Sequence, residues 1–133
     1  MRSSKRMQVD LDLGGHSAPP LAELRAHIRE ALATMSAECV EDVELLATEL
    51  VSNAYDHGLH PISARLWSPP HTRFVRVEVD DSNALGLPVV GVSRLGAFRG
   101  RGLVMVDRLA HRWGTAVRTW GKTIWAEVPC ALA

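Results

Sequence analysis

Surplus positive charge is the first thing this sequence lacks. Its 15 Lys and Arg residues are matched by 15 Asp and Glu residues, and neither the basic excess nor the basic stripe of a duplex nucleic-acid binder is present. No apolar run approaches the span of a bilayer, and no charged-then-apolar leader precedes a cleavage site. The expectation is a cytoplasmic protein with neither membrane nor direct nucleic acid as a partner. Cysteine is scarce: Cys39 and Cys130 make no framework, and free thiols in a reducing compartment are the simplest reading. Internal repeats and low-complexity tracts are missing as well. What is there, 133 residues of which 47% are hydrophobic and 23% charged, bounds one domain over residues 1–133 with a short polar tail at 1–6.

The stretch from Met7 to Leu13 alternates apolar with polar residues, as a half-buried strand does. After the break at Gly14-Gly15-His16, apolar residues recur at helical spacing from Leu21 to Met35, with Pro20 suited to the first turn. Ser36 is positioned to cap a second helix over about Glu38 to His57. Strands follow from Pro61 to Trp67 and from Phe74 to Val79, with a turn at Pro69-Pro70. Residues 82–99 show no periodicity and contain three glycines and a proline, Gly86, Pro88, Gly91 and Gly96. A loop of that length is usually functional. After Gly100-Arg101-Gly102, helical spacing resumes from Leu103 to Ala110, and two closing strands, Trp113 to Trp120 and Thr123 to Val128, meet at a Gly121-Lys122 turn. This order predicts an α+β two-layer sandwich, a mixed, mostly antiparallel sheet covered on one face by about three helices.

The second helix carries the residues that stand out. Glu49 and Asn53 are four apart, so they stack on one face between Leu45 and Leu46. Asn disfavours helix interiors, because its side chain competes with the backbone. A carboxylate there can take a proton or orient a nucleophile, and an amide oxygen can complete the oxygen shell of Mg²⁺. The plainer alternative is an edge-of-face pair that only hydrogen-bonds neighbouring loops. Gly58 offers the left-handed position that closes the helix, with His57 at the negative end of its dipole.

Three further features lie downstream. Asp81 ends a strand beside the long loop, where it is either a turn aspartate or an acceptor for an exocyclic amine. Gly100-Arg101-Gly102 leads into a helix, so backbone amides there can approach phosphate oxygens, although an ordinary loop-to-helix transition reads the same way. Arg94, Arg99 and Arg101 crowd this region and could complement a triphosphate, or could simply be solvated. Gly121-Lys122-Thr123 is a hairpin turn or a third nucleotide contact through the Thr123 hydroxyl.

Taken in order, these residues resemble the boxes of the histidine-kinase-like ATPase (GHKL, or Bergerat-fold) superfamily and, within it, the anti-sigma-factor serine/threonine kinases. The resemblance runs from about Leu21 to Val128, and Glu49-Leu50-Val51-Ser52-Asn53-Ala54 with His57-Gly58 resembles the family's N box. It implies that Asn53 binds Mg²⁺, that Glu49 is the general base for a protein hydroxyl, and that Asp81 recognises the adenine amine. It further implies that Gly100, Arg101 and Gly102 meet the phosphates of ATP beneath a lid at 82–99, and that Thr123 lies near the base. Where the family's fuller form has two glycines after this aspartate, the chain has Ser82-Asn83-Ala84-Leu85. The absence of sensor, dimerisation-hairpin and phospho-acceptor segments favours the anti-sigma branch, with a sigma factor and an antagonist protein as partners and a homodimer as a family expectation. Competing readings are a nucleotide-gated binding module without kinase activity, a metal hydrolase built on Asp56, His57 and His60, and a purely structural domain.

Overall fold

The computed structural model describes residues 8–13, 17–68, 73–84 and 101–133, with backbone alone for 8, 9 and 101–103. The tail at 1–6, the Gly14-Gly15-His16 break, the Pro69-Pro70 turn and residues 85–100 of the long loop lie outside the described residues.

Eight elements follow in chain order: β1 (Gln8–Asp12), α1 (Leu21–Ala31), α2 (Ala37–His57), β2 (Ser63–Trp67), β3 (Phe74–Asp81), α3 (Arg101–Leu109), β4 (Arg112–Val117) and β5 (Lys122–Pro129). Ser36 caps α2 as its position predicts, its Oγ accepting from the Cys39 N–H at 3.2 Å. The sheet order is β1-β2-β3-β5-β4, and each neighbouring pair is antiparallel, so the mixed character expected of the sheet is absent among the described residues. Helix α1 stops at Ala31, short of the expected Met35, because Met35 instead pairs with Leu132 in an isolated bridge.

Period-two alternation separates the two faces of the sheet. Ala64, Leu66, Val75, Val77, Val79, Ile124, Ala126 and Val128 point inward and are nearly inaccessible. They meet Val43, Leu46, Leu50, Val51 and Ala54 of α2, Leu24 and Ile28 of α1, and Val106 of α3 in one core. Each of the valine, leucine and isoleucine side chains contributes roughly 1.5–3 kcal/mol when buried, which is what clamps α2 across the sheet. The opposite face is an ionic lattice. Arg65 bridges Glu78 and Asp80, Arg76 bridges Glu78 and Glu127, and Arg112 reaches Glu127. Trp125 lies under the Arg76 guanidinium at 4.2 Å. Burial alone would push Glu78 and Glu127 up, but hydrogen bonds from Arg76 with Arg65, and from Arg76 with Arg112, hold both carboxyls below the usual range.

The two cysteines are not free thiols. Cys39, in the first turn of α2, is disulfide-bonded to Cys130 just past β5, with Cα atoms 5.0 Å apart. The C-terminal segment brings them together by running along the α1–α2 connection, where Ser36 N donates to Ala131 O at 2.8 Å and Ala133 N to Thr34 O at 2.9 Å. A partnership across 91 residues leaves no trace in local spacing, which is why the sequence reading missed it.

Candidate functional site

Helix α2 places Glu49 and Asn53 one turn apart on the flank of its buried face. Both are half-buried. Among the described residues neither side chain makes a hydrogen bond or ion pair, so their oxygens are not consumed by neighbouring loops as the plainer alternative requires. On the same flank, nearer the helix start, burial and the neighbouring Glu38 and Glu41 push the Asp42 carboxyl up. Leu109, at the end of α3, shares a groove with Asp42, and α3 packs against α2. The Arg101 and Gly102 backbone forms the first turn of α3, and the N–H groups and dipole of a helix start favour an anion. Gly100 lies outside the described residues, as do Arg94 and Arg99.

The end of β3 is where the sequence reading placed a base-binding carboxylate, and Asp81 is only 1% exposed there. Its Oδ1 accepts from the Asn83 N–H at 2.8 Å and from Lys122 Nζ at 3.0 Å. Two glycines make this close packing possible. A Cβ on Gly58 would lie 2.6 Å from Asp81 Cγ and from Ala54 O, and a Cβ on Gly121 would lie 2.0 Å from Asp81 O. Gly58 therefore closes α2 for a reason other than the expected one. Its φ of −94° is not left-handed; the residue is glycine because α2 ends directly against Asp81. Asn83 completes the corner, its Nδ2 donating to His57 O at 3.1 Å.

Thr123 does not join Asp81. The strand register pairs Asp81 with Lys122 and Asp80 with Thr123, so Thr123 faces the ionic lattice, donating to Asp80 Oδ1 at 2.6 Å and accepting from Arg118 Nε at 3.3 Å. The side chain facing Asp81 is Lys122, which the sequence reading passed over as part of a turn. A one-residue step on a strand changes the face, and the buried partner of a strand-end aspartate was the available signal. The hydrolase trio is not assembled either. Among the described residues no cluster of three His, Cys, Asp or Glu could hold a metal, and the His60 ring packs edge-on against Tyr55 at 5.2 Å. No helix among the described residues is long and apolar enough to cross a membrane.

A Glu–Asn pair on α2 that is unpartnered among the described residues, the backbone start of α3 and a strand-end aspartate are what the described residues offer at the candidate site. The model of the histidine kinase-like ATPase domain matches residues 17–127, and the chain belongs to that family. Among solved structures, it is similar to the crystal structure of the RsbU and RsbW domains of Rv1364c from Mycobacterium tuberculosis, with a TM-score of 0.67 at 19% identity over 95% of this chain. It is also similar to the histidine kinase domain of the blue-light activated kinase EL346 from Erythrobacter litoralis, with a TM-score of 0.53 at 16% identity over 97% of the chain. It spans 33% of the first of those chains and 65% of the second. No curated protein matches.

Proposed function

We propose that the protein binds Mg·ATP and acts as an anti-sigma-factor kinase, transferring a phosphoryl group to a serine or threonine of an antagonist protein and gripping a sigma factor. The observation that carries this reading is the half-buried Glu49–Asn53 pair on α2, unpartnered among the described residues. The donor set fits the group. Mg²⁺ takes oxygen ligands and keeps several waters, so one amide oxygen from Asn53 suffices on the protein side. When bound, Mg·ATP supplies the phosphoryl group and neutralises the charge that its transfer develops. Glu49 then accepts the proton of the attacking hydroxyl on a carboxylate oxygen, and the backbone amides at the start of α3, with Gly102 permitting close approach, face the phosphates. The partner class is supported by the anti-sigma resemblance of the sequence boxes and by fold likeness to a chain that contains an RsbW domain.

Glu49→Gln tests the assignment, because it keeps shape and hydrogen bonding but removes the base. Mg·ATP affinity and melting temperature should stay close to the parent's, while transfer to the cognate antagonist falls on the order of a hundredfold to ten-thousandfold. Stability, binding and transfer declining together would show a structural role instead. A parent that binds Mg·ATP but transfers nothing to any antagonist offered would favour the nucleotide-gated binder, a reading supported by the engaged state of Asp81 and by Ser82-Asn83-Ala84 in place of glycines.

A further inference from the structure

Lys122 is not accounted for by the phosphoryl-transfer reading, yet it stands at the base end of the candidate site. Its side chain and that of Asp81 are each 2% exposed, and the strand register sets them directly opposite one another. Burying a lysine head is costly unless it is paired and hydrogen-bonded, and here both conditions hold. Nζ donates to Asp81 Oδ1 at 3.0 Å and to the Asn83 carbonyl at 2.8 Å. Oδ1 also accepts from Asn83 N–H, so two donors already share this oxygen. Gly58 packs against the Cβ and Cγ of the aspartate and Gly121 against its backbone.

We propose that Lys122 is the internal occupant of the acceptor that a purine 6-amino group would otherwise meet. The protein consequently takes nucleoside triphosphates by their phosphates and reads the base weakly. This rests on the nucleotide-binding reading above. An exocyclic amine is a neutral donor to the carboxylate, whereas Lys122 brings a full positive charge to it, so its bond to Asp81 is that of an ion pair and stronger. The amine therefore loses the competition at that oxygen unless the lysine leaves, and among the described residues its strand neighbours on the buried face, Val79 and Ile124, offer no second carboxylate to move to.

The test compares Mg·ATP with Mg·ITP, in which an oxo group replaces the 6-amine, by calorimetric titration of the parent and of Lys122→Thr. In the parent the two dissociation constants should agree within about threefold, because no protein group singles out the amine. In Lys122→Thr the freed carboxylate should bind ATP about tenfold or more tightly than ITP, since a site that hydrogen-bonds a group discriminates against the analogue lacking it. A parent that already prefers ATP tenfold would overturn the inference, as would a folded Lys122→Thr without the preference. If the variant fails to fold after losing its buried ion pair, the parent ratio alone decides. A parent that binds neither nucleotide overturns the ATP reading and this inference with it. A parent that binds both, with tenfold preference, overturns only the role of Lys122.

Discussion

Gly58 and Gly121 matter through the side chains they lack. Each lets backbone approach Asp81 to a distance that no Cβ tolerates. Gly58→Ala should therefore destabilise the protein by about 1–3 kcal/mol, the usual cost of inserting atoms into a packed site, with a matching fall in the denaturant midpoint. An unchanged midpoint would mean that α2 and β3 can part without consequence. This glycine was legible as the end of a helix, but its reason was not, because the contact with Asp81 is made across 22 intervening positions of chain. The same limit explains Lys122 and Thr123. Both were visible as a Gly-Lys-Thr turn, and only the register with β3 shows which of them faces the aspartate. Glu49 and Asn53 were legible because helical spacing makes their oddness local: an acid and an amide on the flank of an apolar face.

At the scale of elements, periodicity reported well what the core faces do and poorly what the other face does. The helices α2 and α3 and the strands β1, β2, β3 and β5 follow the apolar spacing of the sequence, while the ends of α1 and β4 shift where the C-terminal segment and the Arg118–Gly121 turn intervene. The outer lattice of arginines and carboxylates is invisible locally, since each ion pair joins different strands. It makes a pH prediction. Glu78 and Glu127 sit below their ordinary value of 4.5 in the folded protein, so the unfolded chain binds more protons and their contribution is fully present above that value. It is lost as pH falls through the lower, folded values. Asp42, pushed up by burial and its acidic neighbours, acts in the opposite sense, giving stability that is lost as pH rises through its range. The denaturant midpoint should hold from neutrality to about pH 5 and drop below about 4.5, and Glu127→Gln should make that drop shallower. A midpoint as steep in Glu127→Gln as in the parent would remove Glu127 from the account.

For the molecule as a whole, the Cys39–Cys130 bond ties the start of the site-bearing helix to the last strand's exit. Closing a loop of 91 residues constrains the unfolded chain, with typical effects of about 2–4 kcal/mol. Reduction should thus lower the melting temperature on the order of 10 °C without removing the sheet, and Cys130→Ser should reproduce the shift. Equal melting curves with and without reductant would mean that the bond carries no stability. Composition, element order and the α+β architecture could all be read from the chain, and membership of the histidine kinase-like ATPase family agrees with them. The long-range bond and the buried ion pair could not, because both depend on which distant residues the fold brings together.

The central claim is that Asn53, on α2, is the protein's handle on Mg·ATP. Its most direct test is a calorimetric titration of Mg·ATP into the parent and Asn53→Ala, repeated with EDTA and accompanied by melting curves. One saturable site is predicted in the parent, lost when the metal is chelated and weakened at least about tenfold in Asn53→Ala, in line with the loss of a metal ligand or its support, with the melting temperature unchanged. Equal affinity in the two proteins, or binding indifferent to Mg²⁺, would contradict the account.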